Sequence, residues 1–246
     1  MSRLSLRFAM LVCLSVTLFS GAEPVAAPPT TAPPPDPTRF SDEISRFIEW
    51  DRRNAFPKHA ILFVGSSSIR MWATRESFPD WPVINRGFGG SHTSDVNHYF
   101  NNLVKPYNAK VILLYAGDND IASNRSPEQV RDAFLAFVGR VRETQPDVPI
   151  LYLSIKPSAS RWQHWPRMRE ANALIRDVCE KQPHLTYVDV GTPMLGSDGN
   201  PRPEYYLPDR LHLSEAGYAV WTRILTPILD EILHPLVKPP ATGGTR

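Results

Sequence analysis

Five short apolar segments, separated by stretches of helical periodicity, constrain the fold of this 246-residue chain more than any other feature. Several of them are apolar at every position, which is typical of parallel strands covered by helices on both faces. We therefore predict an α/β fold, a three-layer α/β/α sandwich around a mostly parallel five-stranded sheet. The predicted strands span residues 60–64, 83–85, 111–115, 150–155 and 185–190.

The clearest helix signal follows the third predicted strand, over residues 127–144. Ser126 is placed to cap this helix, Pro127 suits its first position and Glu128 lies in its first turn. Its apolar stripe consists of Val130, Phe134, Phe137, Val138 and Val141. Further helices are predicted over residues 41–53, 94–103, 168–180 and 214–233.

The N-terminus has the pattern of a secretory signal peptide. Two arginines precede an apolar run over residues 8–19, and small residues follow at Ser20 and Ala22. The apolar run is shorter than the roughly 20 residues that a membrane span requires. We therefore expect cleavage after residue 22, export to the periplasm or the medium, and a mature chain without a membrane span.

Composition sets the other domain limits. Residues 23–37 are rich in proline and poor in large apolar side chains, so they are predicted to form an extended linker. The folded domain is predicted over residues 38–236, and residues 237–246 are predicted to be a disordered tail.

Charge and cysteine content narrow the choice of partners. The chain has 27 Lys and Arg against 25 Asp and Glu, and loss of the two signal-peptide arginines leaves 25 of each. This balance gives no reason to expect nucleic acid or an anionic membrane as a partner. Because Cys13 leaves with the signal peptide, Cys179 remains alone and cannot form an internal disulfide. We expect a monomer.

Polar clusters follow the first three predicted strands and precede the last predicted helix. Their sequences are GSSS at residues 65–68, NRGFGGSHTSD at 85–95, AGDND at 116–120 and LPDRLHLSEAG at 207–217. In an open parallel sheet, ligands bind at the carboxyl ends of the strands. We therefore expect these four clusters to converge in one site.

These blocks resemble those of the SGNH (GDSL-like) hydrolases, esterases named for a Ser, a Gly, an Asn and a His in separate blocks. The resemblance covers residues 60–233 in the right order and implies a flavodoxin-like sandwich. One departure is Ser66, which stands where the family has an aspartate. The resemblance implies functional roles for Ser67, Gly90, Asn119, Asp209 and His212.

The chemistry of these residues agrees with such roles. A serine hydroxyl needs a base within hydrogen-bond reach, and the imidazole of His212 can be that base for Ser67. The carboxylate of Asp209, three positions earlier, can hold the imidazole in the required tautomer. The backbone N–H groups of Ser67 and Gly90 and the side-chain amide of Asn119 are predicted to form the oxyanion hole.

Other interpretations of the same segments remain open at this stage. Asp118 and Asp120 could belong to an acidic metal site, although no further ligands show suitable spacing. His92, His98 and His164 are alternative bases, but the DxxH spacing favours His212. His92 otherwise reads as a pocket wall or a surface group, and Ser68 as a helix start.

Substrate contacts are predicted from aromatic and basic residues near the site. Phe88 could line the pocket or belong to the core, and Arg161, Trp162 and Trp165 lie in a loop after the fourth strand. Trp faces stack on sugar rings and Arg binds anions, but the same loop could pack on itself. Tyr205 and Tyr206 could likewise either bind substrate or pack within their own segment.

The sequence thus predicts an exported serine esterase that removes short acyl groups, acetyl in particular, from a small-molecule or carbohydrate ester. No cofactor and no metal are expected. The alternatives are a lipolytic acylhydrolase of the lysophospholipase or thioesterase type, and a catalytically silent carbohydrate-binding module.

Overall fold

The structure of the protein, a computed structural model, describes residues 35–234. The predicted signal peptide, most of the predicted linker and the predicted C-terminal tail lie outside the described residues. Within the described part, helical structure begins with a 3₁₀ turn at Pro37–Phe40, one residue before the predicted start of the domain. No helix in residues 35–234 is both long enough and apolar enough to cross a membrane.

The core of the domain is a five-stranded sheet in which every pair of neighbouring strands is parallel. The strand order β2-β1-β3-β4-β5 is that of flavodoxin-like folds, with the change of direction beside β1. The predicted fold class is therefore confirmed. The strands are β1 (Ile61–Gly65), β2 (Val83–Gly87), β3 (Val111–Tyr115), β4 (Ile150–Leu153) and β5 (Leu185–Val188).

The five predicted helices are found in the described residues with two main differences, and three short helices are added at Ser67–Arg70, Thr74–Ser77 and Asp118–Ala122, of which only the first was indicated, by Ser68. The helix predicted over residues 94–103 is divided, because Tyr99 has a non-helical backbone (φ −92°, ψ 17°) while its hydroxyl donates to Pro37 O. The helix predicted from residue 168 begins earlier, with Pro166 in its first turn. The helices are α1 (Ser41–Arg53), α2 (Ser67–Arg70), α3 (Thr74–Ser77), α4 (Thr93–His98), α5 (Phe100–Leu103), α6 (Asp118–Ala122), α7 (Pro127–Thr144), α8 (Trp165–Lys181) and α9 (Glu215–Leu233).

The predicted start of α7 is confirmed. The Ser126 hydroxyl accepts from the backbone N–H of Gln129, and the Gln129 side chain accepts from the backbone N–H of Ser126. This reciprocal pair satisfies two donors that a helix start leaves unpaired. The five apolar residues of the predicted stripe are all buried.

The helices cover both faces of the sheet and form two cores. Leu62 and Leu114 point to one face, where they pack with α1, α4, α5, α7 and α8. Phe63 and Leu113 point to the opposite face, where they pack with α2, with α9, and with Trp72 and Phe78 on either side of α3. Because helices cover both faces, the polar clusters lie at the edge of the sheet that carries the carboxyl ends of the strands.

Candidate active site

Ser67 lies at the carboxyl end of β1, where it begins helix α2 one residue earlier than predicted. The strand ends at Gly65, whose φ is +144° and where a Cβ would lie 2.0 Å from the Tyr115 carbonyl oxygen. Only glycine permits this close approach to β3. The backbone N–H of Ser66 donates to the same oxygen at 3.0 Å, so the start of α2 is tied directly to the sheet.

His212 and Asp209 complete a chain of hydrogen bonds that starts at Ser67. The His212 Nε2 lies 3.0 Å from the Ser67 Oγ, and its Nδ1 lies 2.6 Å from the Asp209 Oδ2. The other carboxylate oxygen, Oδ1, accepts from the backbone N–H groups of Leu211 and His212 at 2.9 and 3.0 Å. The Ser67 hydroxyl is thereby joined to an imidazole 145 positions away in the sequence and, through it, to a carboxylate.

The loop that carries Asp209 and His212 is fixed by its own backbone. Leu207 N–H donates to His212 O at 2.8 Å, and Arg210 N–H donates to Leu207 O at 2.8 Å. Arg210 adopts a left-handed conformation (φ 56°), which is uncommon for a residue with a side chain and turns the loop back on itself. Nearby, the Tyr206 hydroxyl donates to Pro157 O at 2.6 Å, so Tyr206 is a buried anchor of the loop and not a surface contact.

Hydrogen bonding keeps the carboxyl group of Asp209 ionised. Partial burial raises its pKa, but the hydrogen bonds from the His212 imidazole and from the backbone N–H groups of Leu211 and His212 outweigh this and lower the pKa to about 2. An ionised carboxylate at Nδ1 places the imidazole proton on that nitrogen, which leaves Nε2 free to accept the hydroxyl proton of Ser67.

The three predicted oxyanion donors are drawn together by hydrogen bonds between the blocks. Phe88 N–H donates to Gly65 O at 2.9 Å, which joins the second block to the first. The Asn119 Nδ2 donates to Ser91 O at 2.9 Å, which joins the third block to the second. The four sequence clusters therefore meet at one edge of the sheet, as predicted from their positions at strand ends.

Each of the three donors has a hydrogen to offer to a ligand. Within residues 35–234, the backbone N–H groups of Ser67 and Gly90 have no hydrogen-bond acceptor. Gly90 is exposed and has a positive φ of 76°, a conformation that glycine adopts without strain. An amide nitrogen carries two hydrogens, so Asn119 retains one after its bond to Ser91.

Two predicted pocket residues are buried instead. Phe88 has no exposed surface, because it packs edge-on against Phe40 and Tyr99, so the prediction that it lines the pocket is wrong and the core interpretation is right. His92 is 3% exposed, with Nε2 3.3 Å from the Ser123 hydroxyl, so it is neither a pocket wall nor a surface group. The pKa of His92 is lowered to about 4, mainly by burial and to a smaller extent by the charges of Arg39 and Arg125.

The aromatic loop after β4 forms the 3₁₀ segment Ala159–His164 and the first residue of α8. Trp162 is 36% exposed and stacks on the largely buried Trp165, with ring centroids 6.1 Å apart and planes at 17°. Both rings line a groove of about 440 Å³. Arg169, Arg176, Tyr187 and Asp189 are among its other lining residues.

Arg161 points away from that groove and into the site. Its Nη2 donates to the Asn119 Oδ1 at 2.9 Å, and its Nη1 lies 3.2 Å from the Asp118 Oδ2. The sequence could not indicate this direction, since a basic residue in a loop can point outwards or inwards. Lys156, which the sequence interpretation overlooked, is also buried and lies 3.8 Å from the same carboxylate oxygen of Asp118.

The acidic residues beside Asn119 have protein partners. Asp118 faces Arg161 and Lys156, and Asp120 accepts from the backbone N–H of Thr93 at 3.2 Å. Burial raises the pKa of Asp120 to about 7 against the effect of that hydrogen bond. Among the described residues, no three His, Cys, Asp or Glu side chains are grouped closely enough to hold a metal ion.

A larger apolar groove, of about 860 Å³, lies beside the segment that carries Asp209 and His212. It runs between the α2–α3 region and α9, and its walls include Met71, Leu207, Leu213 and Tyr218. No local pattern could indicate this groove, because its walls come from segments that are about 140 positions apart in the chain.

A parallel α/β sheet with a Ser-His-Asp hydrogen-bonded chain at its carboxyl edge is an arrangement used by serine hydrolases. The model of the GDSL-like lipase/acylhydrolase family matches residues 66–220, well over half of the chain, and the protein belongs to this family. The predicted family is therefore confirmed, and the protein is a carboxylic ester hydrolase. No curated protein sequence matches the chain significantly.

Solved structures share the fold at low sequence identity. A protein from Streptococcus pneumonia described as a platelet activating factor is 22% identical with a TM-score of 0.70, over 78% of this chain and 93% of that one. A GDSL-like lipase from Bacteroides thetaiotaomicron is 18% identical with a TM-score of 0.65, over 80% and 98% of the two chains. A catalytic mutant of an acetylxylan esterase from Geobacillus stearothermophilus is 14% identical with a TM-score of 0.56, over 72% and 95%.

Proposed function

We propose that this hydrolase is an exported serine esterase that removes short acyl groups, acetyl in particular, from carbohydrate esters. The observation that carries the mechanism is the chain of two hydrogen bonds from the Ser67 Oγ through His212 to Asp209. It supplies a nucleophile, a base and a group that orients the base, all within hydrogen-bond distance.

In the first half of the reaction, the Ser67 Oγ attacks the ester carbonyl carbon while its proton passes to the His212 Nε2. The negative charge that develops on the carbonyl oxygen is stabilised by the N–H groups of Ser67 and Gly90 and by the Asn119 amide. The intermediate collapses when the bond to the alkoxy oxygen breaks. That oxygen takes the proton from His212 and leaves as the alcohol, and the acyl group remains on Ser67.

The second half repeats these steps with water. His212 removes a proton from a water molecule, whose oxygen attacks the acyl carbon of the Ser67 ester. The same three donors stabilise the second oxyanion, and the Ser67 oxygen leaves with the proton from His212. The products are the carboxylic acid and free Ser67, and no cofactor enters the balance.

The carbohydrate part of the proposal is supported by the groove at Trp162. An exposed indole face with polar and charged neighbours suits a sugar ring, which has an apolar face and a rim of hydroxyls. Trp162, which lines the groove, follows Arg161 directly in the chain, and the Arg161 side chain contacts Asn119. A structural neighbour with the same fold is an acetylxylan esterase.

The apolar groove supports a second candidate, a lipolytic acylhydrolase that accepts a long acyl chain. Leu207 and Leu213 flank the catalytic loop and also line this groove, so a chain bound there starts close to His212. Its volume is sufficient for a drug-sized or acyl-chain ligand.

A series of nitrophenyl esters from acetyl to lauroyl, together with acetylated xylo-oligosaccharides, distinguishes the two candidates. The proposal predicts the highest kcat/KM for acetyl esters and a Trp162→Ala variant that loses activity on acetylated oligosaccharides but not on nitrophenyl acetate. As a matched control, Ala219→Trp partly fills the apolar groove and should leave both activities unchanged. A kcat/KM that rises with chain length and collapses in Ala219→Trp supports the lipolytic candidate instead.

Export is proposed from the N-terminal pattern alone. Expression of the full chain with its own N-terminus, followed by fractionation and N-terminal sequencing, tests it. We expect the protein in the periplasm or medium with Glu23 as its first residue. A cytoplasmic product that retains residues 1–22 contradicts this part of the proposal.

A further inference from the structure

Arg161 makes two contacts that tie it to the Asn119 side chain rather than to open solvent. Its guanidinium donates to the Asn119 Oδ1 at 2.9 Å and lies 3.2 Å from the Asp118 Oδ2. Only 20% of the side chain is exposed. The hydrogen bond to Asn119 and the charge contact with Asp118 restrict the orientation of the planar guanidinium.

These contacts determine which way the Asn119 amide faces. A guanidinium can only donate and a backbone carbonyl can only accept. With Oδ1 towards Arg161 and Nδ2 towards Ser91 O, both contacts are hydrogen bonds. If the amide were rotated by 180°, N–H would face N–H and oxygen would face oxygen, so that both bonds would be lost. Arg161 and Ser91 together therefore hold the Nδ2 group in place.

The charge of Arg161 also acts on the amide. A cation at Oδ1 draws electron density from the amide and makes the Nδ2 hydrogens better donors. The Asp118 carboxylate is shared, because its Oδ2 also lies 3.8 Å from the Nζ of the buried Lys156 side chain.

The segment that carries Arg161 is also joined to the loop that carries the base. Ser160 N–H donates to Arg210 O at 3.2 Å, between Asp209 and His212. One 3₁₀ segment therefore contacts both the oxyanion donor and the loop of the catalytic imidazole.

We propose that Arg161 is a positioning residue that acts through Asn119, by orienting and polarising the amide that stabilises the oxyanion. This inference rests on the proposed function. It replaces the direct substrate contact that the sequence predicted for Arg161, and it assigns recognition of the sugar to the Trp162 groove alone.

A double-mutant cycle between positions 161 and 119 tests the inference, with nitrophenyl acetate as a substrate too small to reach the Trp162 groove. The variants are R161M, N119A, the double variant and R161K. R140M is the control, since Arg140 donates to the backbone carbonyl of Asn97 in another helix and lies outside the site. Thermal unfolding of each variant verifies the fold.

We expect N119A to lower kcat by about 100-fold or more. R161M should lower kcat by about 10- to 100-fold with KM within about twofold, and R161K should recover part of this loss. In the N119A background, R161M should change kcat by less than about threefold. R140M should keep the kcat of the parent protein.

Three results overturn the inference. The first is an R161M effect of equal size with and without Asn119, which means that Arg161 acts independently. The second is a change confined to KM, which means that it contacts substrate. The third is an R161M protein that folds and retains full kcat. If the proposed function itself is wrong, the N119A and S67A variants keep their activity. This result differs from all three results that overturn the inference about Arg161. If R161M does not fold, the cycle is run with R161K, which should show the same dependence on Asn119.

Discussion

Replacement of Asp209 by asparagine tests the orientation of the imidazole. The Asp209 Oδ1 accepts two backbone N–H groups and the Oδ2 accepts the His212 Nδ1 proton. Asparagine can keep the first two bonds through its own oxygen, but its NH₂ group then faces Nδ1. Because that NH₂ group can only donate, Nδ1 must be unprotonated to accept its hydrogen bond. The imidazole proton then lies on Nε2, and Ser67 has no base.

The expected loss can be scaled from the exposure of the carboxylate. In a serine protease with a buried aspartate, the same replacement lowers kcat by about 10⁴. Here 47% of the Asp209 side chain is exposed, so water screens its charge while the effect on the tautomer remains. We therefore expect D209N to lower kcat by about 10² to 10³, equivalent to about 3 to 4 kcal/mol in activation free energy.

Steady-state hydrolysis of nitrophenyl acetate at pH 8 measures this loss, and thermal unfolding measures stability. D209N should unfold within about 2 °C of the parent protein because its turn bonds are kept, whereas D209A loses those bonds and should also be less stable. A folded D209N protein that retains more than a tenth of the parent kcat would refute the account of how the base is oriented.

Three further predictions concern the scaffold of the site. G65A should be inactive or insoluble, because its Cβ would lie 2.0 Å from a carbonyl oxygen of β3, and a G65A protein with parental activity would contradict the close approach. Because the pKa of Asp120 is raised in the folded state, the parent protein binds a proton on folding and loses that stabilisation as the pH rises from 4 to 8. The asparagine of D120N does not titrate, so the unfolding free energy of D120N should increase by about 4 kcal/mol relative to that of the parent over this range. Denaturant-derived curves of unfolding free energy against pH that run parallel for the two proteins would contradict this. W221A should lower the free energy of unfolding in urea by about 3 to 5 kcal/mol, because Trp221 is fully buried and donates to Val190 O. The control W50A, at a position that is 49% exposed, should lower it by about 1 kcal/mol or less. Equal losses in the two variants would contradict the assigned core.

The parts of the fold that could be predicted are those that depend on local pattern. The run VILLY at residues 111–115 is apolar throughout because β3 is covered on both faces, and α7 has its cap, proline and stripe within one short segment. The site could be located for a related reason. Parallel strands end at one edge, so polar clusters that follow them converge there even when they are far apart in sequence.

The parts that could not be predicted depend on the direction of single side chains. Phe88 follows a strand beside the glycines of the second block, and nothing local indicates that it turns inwards to Phe40. Arg161 and Trp162 are neighbours in one loop, yet the first contacts Asn119 and the second is exposed. The helix is likewise divided at Tyr99, whose hydroxyl donates to Pro37 O, 62 positions away, and no local pattern indicates this contact.

The central claim is that the hydroxyl of Ser67 is activated by His212 and carries the acyl group. The most direct measurement is peptide mapping by mass spectrometry after reaction of the purified protein with a fluorophosphonate, in parallel with the S67A and H212A variants. We predict one adduct per chain on the peptide that contains Ser67, a greatly slowed reaction in H212A and none in S67A. Labelling of S67A at the rate of the parent protein, or an adduct at another residue, would contradict the account.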